Sequence, residues 1–499
     1  LFYFFWLQIF NSEECMFQYI IVFTFFSLCI FNANASGPIK DSAWRWLDGQ
    51  YQLFDSLNKS IWAHSEVGLE EVQSSIELQK VLVAHGFEVE SGVADMPTAF
   101  VATYGLGGPI IGILAEYDAL PGVSQANTSF QKTGPNPYAG HACGHSVFGT
   151  GSVAAALAIK ELILSNQIKG TIKLYGTPAE ETGIGKVYML KDGYFKGDDV
   201  IFSWHALDRT AVSYNDTKAL VNVKFNFSGT ASHASAAPWS GRSALDAVEL
   251  TNSAVNMMRE HMRPDVRVHY VITEGGGQPN VVPPSAEVWY YIRANKFEDV
   301  EYYFDWVRTI ALSAAAMTQT ELSNIVIQSE VHEKVSFRKL SEIMQRNIEI
   351  VGLPEWSARE LEFARDTQRN FLEQNSFRKI ESYPALSSRI EPLGVGPAAA
   401  TASTDIGDVS WFVPTGGLAV ASYAYGLPIH SWPVVAATGT SIGTKALITA
   451  AKVIVGTAVE LYLDPQLLSD VKNDWSRSRG TAAFRTLIPA EQKAPVNIR

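Results

Sequence analysis

The chain has 499 residues, of which 47% are hydrophobic and 18% are charged, and its net charge is −12. The length is sufficient for two or three domains, and the composition is that of a globular protein rather than a disordered one. The negative charge, with no basic run or basic helix, argues against nucleic-acid binding.

The N-terminal segment is apolar almost without interruption over residues 1–31. Met16 is a plausible start, and Ala33-Asn34-Ala35 is a small-x-small cleavage pattern that follows the apolar run. We therefore expect residues 1–35 to be a cleaved signal peptide, and the protein to be exported, either periplasmic or secreted. The alternative is an uncleaved membrane anchor, since about 20 apolar residues can span a bilayer. No later segment is expected to be apolar over a length that could span a membrane.

From residue 42 to residue 204, predicted helices and strands alternate. The helices are expected within 42–92, including one over 60–85, and at 149–165, and the strands at 99–104, 110–115, 170–175 and 200–204. The strand at 110–115 is apolar throughout, as expected for a strand that is buried on both faces. Strands that alternate with helices indicate a layered α/β fold.

The pattern changes near Ala219, where the strands begin to alternate polar and apolar residues. The predicted order is strand 220–227, helix 243–262, strands 266–273 and 286–294, helix 297–319, and a last strand that ends near 332. This βαββαβ order is that of a split βαβ, ferredoxin-like sandwich. A helix at 441–463 returns to the first pattern. We therefore predict an α/β domain (36–218 and 333–465), an inserted α+β domain (219–332), and a surface tail (466–499).

The run His141-Ala142-Cys143-Gly144-His145 places two imidazoles and one thiol within five residues. Of the three cysteines, Cys15 and Cys29 lie in the predicted leader, so Cys143 has no partner for an internal disulfide. Metal binding is one interpretation of this run, and a buried inert cysteine is the other.

Other candidate ligands lie at strand ends. Glu180 and Glu181 follow one predicted strand, and His205 follows the next, where the catalytic loops of α/β sheets commonly lie. His430 precedes the last helix of the α/β domain. Individually, each has a structural interpretation, such as carboxylates at a helix start. Together with the run above they give five candidate ligands: Cys143, His145, Glu181, His205 and His430. Five ligands exceed one tetrahedral zinc site and suit two metals, which leaves Glu180 as a general base.

These motifs resemble those of the M20 family of metallopeptidases and amidohydrolases, in the branch that carries a cysteine. The resemblance covers residues 44–464 and is carried by AEYDALP (115–121), HACGH (141–145), GTPAEE (176–181), WH (204–205), SHAS (232–235), NVVP (280–283) and HSW (430–432). It implies a phosphorylase/hydrolase-like α/β catalytic domain and a binuclear Zn²⁺ or Mn²⁺ site with the five ligands above. It also implies that Glu180 takes a proton from the attacking water and returns it to the leaving amine.

The resemblance further implies that the inserted domain is a lid that also forms the dimer. His233 matches a lid histidine that stabilises the oxyanion, often across the dimer interface. Asn280 and Arg293 match positions that hold the substrate's carboxylate, although Arg293 could also be a charge on the strand surface. Asp118 matches an acidic residue that orients a metal ligand.

Two departures from the family's usual pattern concern the substrate rather than the ligands. Ser146 stands where an aspartate often follows the Cys-Gly-His run, and Glu116-Tyr117 stands where many relatives have Asp-Met. Asp405 and Asp408 are expected either to cap the following helix or to contact the substrate.

The expected function is that of a metal-dependent amidohydrolase, acting on an N-acyl or aminobenzoyl amino acid such as p-aminobenzoyl-glutamate. The substrate is expected to carry a free carboxylate on its amine side. The alternatives are an M20-type dipeptidase or carboxypeptidase, and a non-catalytic metal- or ligand-binding protein on the same scaffold. The expected partner is a second copy of the chain or a related second subunit, with no nucleic acid and no stable membrane insertion.

Overall fold

The computed structural model describes residues 36–373, 383–394 and 402–496. The predicted leader, residues 1–35, lies outside the described residues, and its cleavage stays a prediction. The helices are α1 (36–49), α2 (Tyr51–His64), α3 (Val72–Ala84), α4 (His145–Leu164), α5 (Gly185–Lys191), α6 (Ala244–Met258), α7 (Phe297–Thr318), α8 (Arg338–Val351), α9 (Ala358–Glu373), α10 (Ile406–Ser410), α11 (Trp432–Thr438), α12 (Ser441–Leu463) and α13 (Pro465–Arg479). The strands are β1 (Glu88–Ser91), β2 (Phe100–Gly105), β3 (Ile110–Ala115), β4 (Leu120–Pro121), β5 (Ala139–Gly140), β6 (Thr171–Gly176), β7 (Val200–Leu207), β8 (Ala211–Val212), β9 (Ala219–Ser228), β10 (Arg267–Glu274), β11 (Ser285–Ala294), β12 (Glu321–Val331) and β13 (Thr415–Ala421).

The large domain is built on a seven-stranded mixed sheet in the order β1-β2-β6-β3-β7-β13-β8. The four strands β6, β3, β7 and β13 run parallel to one another, while β2 and β8 pair antiparallel with their neighbours. Because the carboxyl ends of parallel strands meet at one edge of a sheet, the segments that follow β3, β6, β7 and β13 lie together. This edge carries the candidate site.

The inserted domain, hereafter the lid, has a four-stranded antiparallel sheet in the order β10-β11-β9-β12. Alternate residues of β9, from Val221 to Phe227, are buried with apolar residues of α6 and α7 on one face of the sheet. The chain order β9-α6-β10-β11-α7-β12 is the predicted βαββαβ order. The predicted fold class, an α/β domain with an inserted α+β domain, is confirmed.

The helices α4 and α12 contradict one expectation from the sequence. Each is long and apolar enough to cross a membrane by length and composition, although no segment after the leader was expected to be. In the structure 83% of the apolar stretch of each helix is buried, and the two helices pack against each other in the large domain. Their apolar composition reflects burial on nearly all sides within the protein core.

The helix predicted over residues 60–85 is wrong, because the chain leaves α2 at His64 and enters α3 at Val72. Between the two helices, Ser65 has φ 45° and Leu69 has φ 67°, left-handed conformations that interrupt a right-handed helix. Strand β7 continues beyond the predicted end at residue 204, so His205 lies within the strand rather than after it.

The sequence pattern did not reveal β13, although this strand pairs with β7 in the large sheet. Its sequence TGGLAVA contains two glycines, which lower the β-propensity that the pattern relies on. The tail is also not confined to the surface as expected. Helix α13 buries Leu468 and Val471, and the segment after it buries Ile488 and Ala494 against the large domain.

Candidate metal centre

The five predicted ligands come from four segments at the carboxyl edge of the large sheet. Cys143 lies in the turn before α4 and His145 begins that helix, while Glu181 lies in a 3₁₀ turn after β6. His205 lies near the end of β7, and His430 lies in the loop between β13 and α11. The fold therefore brings together side chains that are up to 287 positions apart, from 143 to 430.

Gly144 allows the Cys143 turn to approach β7. Its φ is 79°, and a Cβ atom at this position would lie 2.6 Å from the Cβ of Ala206. Both the backbone conformation and the close neighbour therefore restrict this position to glycine. As a result Cys143 Sγ lies 3.4 Å from Nε2 of His205.

The ligand atoms form two groups that share Cys143. The first group is Cys143, His145 and His205, and the second is Cys143, Glu181 and His430; within each group the ligand atoms lie within 4.8 Å of one another. In the second group His430 Nε2 lies 3.4 Å from Glu181 Oε2. Two three-residue groups with a common sulfur can hold two divalent cations, with Cys143 as the bridge.

Hydrogen bonds to neighbouring oxygens hold one ring nitrogen of His145 and of His205, and leave the other nitrogen for metal binding. Nδ1 of His145 lies 2.8 Å from Asp118 Oδ1, and Nδ1 of His205 lies 2.8 Å from the backbone oxygen of Ala206. Each Nδ1 therefore donates a hydrogen bond, which leaves Nε2 of each ring as the atom that can bind a metal when the imidazole is neutral. Among the described residues, His145 Nε2 and Glu181 Oε1 are buried with no hydrogen-bond partner. A bound cation would give such buried polar atoms the partner that they lack. These residues are therefore suited to bind a metal ion.

Burial controls the protonation of the ligands. It raises the pKa of the Cys143 thiol well above its usual range, and it raises the pKa of Glu181 to about 8. It lowers the pKa of His205 to about 3 and also lowers that of His430. Burial lowers the pKa of His145 as well, but the neighbouring Cys143 and Asp118 outweigh it and raise that pKa well above its usual value. Without a metal, the thiol, His145 and most of the Glu181 carboxyl therefore hold a proton at neutral pH, while the imidazoles of His205 and His430 are already neutral.

Metal binding is expected to release protons from Cys143, His145 and Glu181, because ligands bind in their deprotonated forms. All three pKa values lie above the usual range, so the metal-free site keeps its protons until the pH rises. We expect the apparent metal affinity to increase between about pH 6 and pH 8, by up to about tenfold per pH unit for each proton released. Calorimetric titration in buffers of different ionisation enthalpy counts these protons, and a pH-independent affinity would contradict the assignment.

Glu180 lies beside a buried group of charges. Lys186 is fully buried, and its Nζ lies 2.6 Å from Asp405 Oδ1 and 2.8 Å from Glu116 Oε1. Acceptor atoms of Glu116, His145 and Glu180 lie within 4.8 Å of one another. Burial raises the pKa of Glu180, and the nearby Asp405 carboxylate adds to the effect. A carboxyl group with a raised pKa beside the ligands is suited to accept and return a proton near neutral pH.

Asp405 and Asp408 make internal hydrogen bonds, and a substrate contact by either stays a prediction. Asp405 accepts hydrogen bonds from the backbone and side-chain nitrogens of Lys186, and Asp408 accepts two from His332. Both carboxylates are fully buried, and the Asp405 side chain does not cap α10. They take part in internal hydrogen bonds because the fold, rather than the local sequence, supplies buried donors to each.

Asp118 joins two of the ligands. Its Oδ1 accepts from His145, as given above, and its Oδ2 accepts from the backbone nitrogen of Glu181 at 3.0 Å. Asp118 is fully buried, and its pKa is lowered: burial opposes ionisation, but the His145 imidazole and the hydrogen bonds to Asp118 outweigh it. An ionised carboxylate in this place fixes the orientation of one ligand from each group.

The three lid residues predicted to contact the substrate differ in burial and in their distance from the ligands. Arg293 on β11 is half-buried, and its guanidinium is close enough to act on the pKa of His430, which burial and His145 also lower. His233 is exposed and pairs with Val281 in an isolated bridge, and the backbone oxygen of Asn280 accepts from Ala234 nearby. Within the described part of one chain, no contact joins His233 or Asn280 to a ligand, whereas Arg293 is near enough to influence the pKa of His430.

Two buried charged residues near the site, Glu71 and Lys186, were not predicted from the sequence. Glu71 is fully buried, with its Oε1 accepting from the backbone nitrogen of Ala179 at 2.8 Å and its Oε2 from Thr98 Oγ1 at 3.0 Å. Ala179 directly precedes Glu180 and has φ 55°. No local signal marks these residues, because a glutamate between two helices and a lysine at a helix start usually lie in solvent.

Comparisons with known proteins agree with the resemblance to the M20 family. Residues 215–317 match the family model for the M20 peptidase dimerisation domain. The chain is 36% identical over 462 residues to the B subunit of p-aminobenzoyl-glutamate hydrolase from Escherichia coli (strain K12), covering 89% of this chain and 96% of that protein. It is 28% identical over 460 residues to the Xaa-Arg dipeptidase of Mus musculus, covering 88% and 92%. The solved structure of the Bacillus subtilis YXEP protein, a dinuclear metal binding peptidase from the M20 family, superposes with TM-score 0.50 at 16% identity, covering 82% of this chain and 98% of that chain.

Proposed function

Because this chain belongs to the M20 family of metallopeptidases and amidohydrolases and is a hydrolase of amide bonds, we propose that it cleaves an N-acyl amino acid with a free carboxylate. The leading substrate is p-aminobenzoyl-glutamate, which the name of the 36% identical relative contains. The observation that carries the proposal is the pair of ligand groups that share Cys143, with Glu180 beside them. A binding protein would have no use for the additional carboxyl group.

The proposed mechanism assigns each step to a residue of this chain. Two bound divalent cations would polarise the amide carbonyl and lower the pKa of the attacking water. Glu180 accepts the proton of that water and transfers it to the nitrogen of the leaving amine. Lys186 and Asp405, buried nearby, keep the surrounding charges fixed. Asp118 holds His145 and the Glu181 backbone in place while the proton moves.

Arg293 is the proposed site for the carboxylate of the substrate. Its Nε has no hydrogen-bond partner among the described residues although it is buried. Burial lowers the pKa of the guanidinium, and the nearby Tyr291 and Glu180 oppose that shift. A guanidinium with unused donors suits a carboxylate, which it can bind through two parallel hydrogen bonds. Asn280 is proposed to support the same carboxylate, and His233 to stabilise the oxyanion.

The dimerisation domain supports assembly into an oligomer. His233 and Asn280 are exposed on the lid and make no contact with the ligands of their own chain, so we propose that they act in the site of a second subunit. A homodimer is the simplest assembly. The 36% identical relative is a B subunit and the A subunit of the same enzyme also matches, over 44% of this chain, so a related second subunit is the alternative.

We propose Zn²⁺ or Mn²⁺ as the bound metal. The thiolate and imidazole ligands favour Zn²⁺, while the carboxylate also suits Mn²⁺. We also propose that the protein is exported, on the strength of the apolar run and the Ala33-Asn34-Ala35 pattern that follows it.

Metal content and a substrate panel test the proposal together. We expect two metal ions per chain, and hydrolysis of p-aminobenzoyl-glutamate in preference to dipeptides with C-terminal arginine. Hydrolysis of dipeptides alone would favour the second candidate, a dipeptidase, which the 28% identity to Xaa-Arg dipeptidase supports. One metal ion or none, without turnover of any compound in the panel, would favour the non-catalytic alternative.

A further inference from the structure

The lid contacts the segment that carries the two functional glutamates. We call residues 179–183, which include Glu180 and Glu181, the carboxylate turn. The backbone oxygen of Thr182 in this turn accepts a hydrogen bond from Asn222 Nδ2 at 3.1 Å and another from Ser329 Oγ at 2.7 Å. Both lid side chains are fully buried. The lid therefore makes two partly buried polar contacts one residue beyond a proposed metal ligand.

The lid sheet directs these two side chains to the same point. Asn222 on β9 and Ser329 on β12 are directly opposite in the register of the two strands. Val221 and Val223 face the lid helices, so Asn222 faces the opposite side of the sheet, toward the large domain. The register of β12 shifts between Ile327 and Ser329. Such irregularities re-aim a side chain and occur often beside active sites.

Two further contacts support the packing of the lid against the carboxylate turn. The Oδ1 atom of Asn222 accepts a hydrogen bond from Trp289 Nε1, which orients the amide so that its nitrogen meets Thr182. Gly183 has φ 67°, and a Cβ atom there would lie 3.0 Å from Cγ2 of Val331 on β12. The turn therefore ends in a position where the backbone and the adjacent lid strand both favour glycine.

The large domain holds the other end of the same turn. Glu71 accepts from the backbone nitrogen of Ala179, and Asp118 accepts from that of Glu181. The start and the middle of the turn are thus fixed by the domain that carries the metal ligands, and its end is fixed by the lid. A movement of the lid away from this position would leave the Thr182 oxygen without either of its two side-chain donors.

We propose that Asn222 and Ser329 are positioning residues, which hold Glu180 and Glu181 in their working places only when the lid is docked. This inference rests on the proposed role of Glu180 as the general base. Each lost hydrogen bond is expected to lower kcat about three- to tenfold, and loss of both about 10- to 100-fold, because a misplaced base reacts more slowly. KM and the number of bound metal ions are expected to change little.

The test compares Ser329→Ala and the Asn222→Ala/Ser329→Ala double variant with Ser323→Ala. Ser323 is a matched control, since it lies on the same strand and donates to the Asn226 backbone without touching the turn. Ser329→Thr keeps the hydroxyl and should restore kcat toward the wild-type value. Steady-state kinetics use p-aminobenzoyl-glutamate or whichever panel compound is hydrolysed.

A second readout does not depend on turnover. In the metal-free protein, deuterium exchange of the peptide that spans 179–183 should be faster in Ser329→Ala than in Ser323→Ala. Equal exchange and equal kcat in these two variants, or an effect on KM alone, would overturn the inference. If the double variant does not fold, Ser329→Ala and Ser329→Thr decide the question.

Glu180→Ala, measured in parallel, separates this inference from the proposed function. Wild-type turnover of Glu180→Ala would remove the proposed base, whatever the lid variants do. Loss of turnover in Glu180→Ala with no effect of Ser329→Ala would leave the proposed function intact and overturn only the positioning role.

Discussion

Glu180→Ala is expected to lower kcat by about 10²- to 10⁴-fold, the usual contribution of a general base, while both metal ions stay bound. The positions of the ligand atoms explain why turnover should be lost while the metal ions stay bound. Neither group of ligand atoms around Cys143 includes Glu180, although Glu180 lies within 4.8 Å of acceptor atoms of Glu116 and His145. The variant therefore removes the group that transfers the proton and leaves both sets of ligands in place.

The measurement pairs elemental analysis with single-substrate kinetics on the same preparation. Glu181→Ala is the informative comparison, because it removes a proposed ligand next in sequence and should release metal. Glu70→Ala is a matched control, since Glu70 is an exposed glutamate beside the buried Glu71. If Glu180→Ala turns over at the wild-type rate, the base assignment is wrong; if it loses metal, Glu180 is a ligand instead.

Cys143→Ser is expected to lose both metal ions. The sulfur of Cys143 is the only ligand atom that belongs to both groups, so its loss weakens both sites at once. Serine has a similar shape, but its hydroxyl is a poor ligand at neutral pH compared with a thiolate. His205→Ala, which changes only the first group, should retain about one ion per chain. Equal metal content in Cys143→Ser and His205→Ala would show that Cys143 does not bridge.

A labelling experiment checks the same assignment without a change at the site. Cys143 is the one free cysteine among the described residues, and Cys15 and Cys29 lie in the predicted leader. With these two replaced by serine, a thiol reagent should modify the metal-free protein at one position and the metal-loaded protein much more slowly. Labelling at the same rate in both forms would mean that the thiol is not a ligand.

The lid carries three of the residues that are proposed to contact the substrate. The charge of Arg293 influences the pKa of His430 in its own chain, whereas His233 and Asn280 are exposed and contact no ligand among the described residues. One chain by itself would then hold an incomplete set of the proposed substrate contacts. The Asn222 and Ser329 contacts add a second connection, from the lid to the carboxylate turn. Substrate recognition and the placement of the base would then depend on the same domain.

The sequence alone determined the parts of the protein that are encoded locally. Strand β3 and helix α12 occur at the residues predicted for them, because burial on nearly all sides requires apolar stretches that a short window of sequence reveals. The residue types in the turn before α4 and near the ends of β6 and β7 indicated candidate metal ligands, since thiol, imidazole and carboxylate groups are unusual together. Where local signals were weak, as in the glycine-containing β13, the strand was not predicted.

The contacts between residues that are far apart in the chain depend on the tertiary structure. The contact between Glu71 and Ala179 joins positions 108 apart, and the one between Lys186 and Asp405 joins positions 219 apart. Neither residue type nor spacing carries information about such pairs, because chain folding rather than local conformation brings them together. For the same reason the sharing of Cys143 by two ligand groups, and the docking of the lid on Thr182, could be seen only once the fold was known.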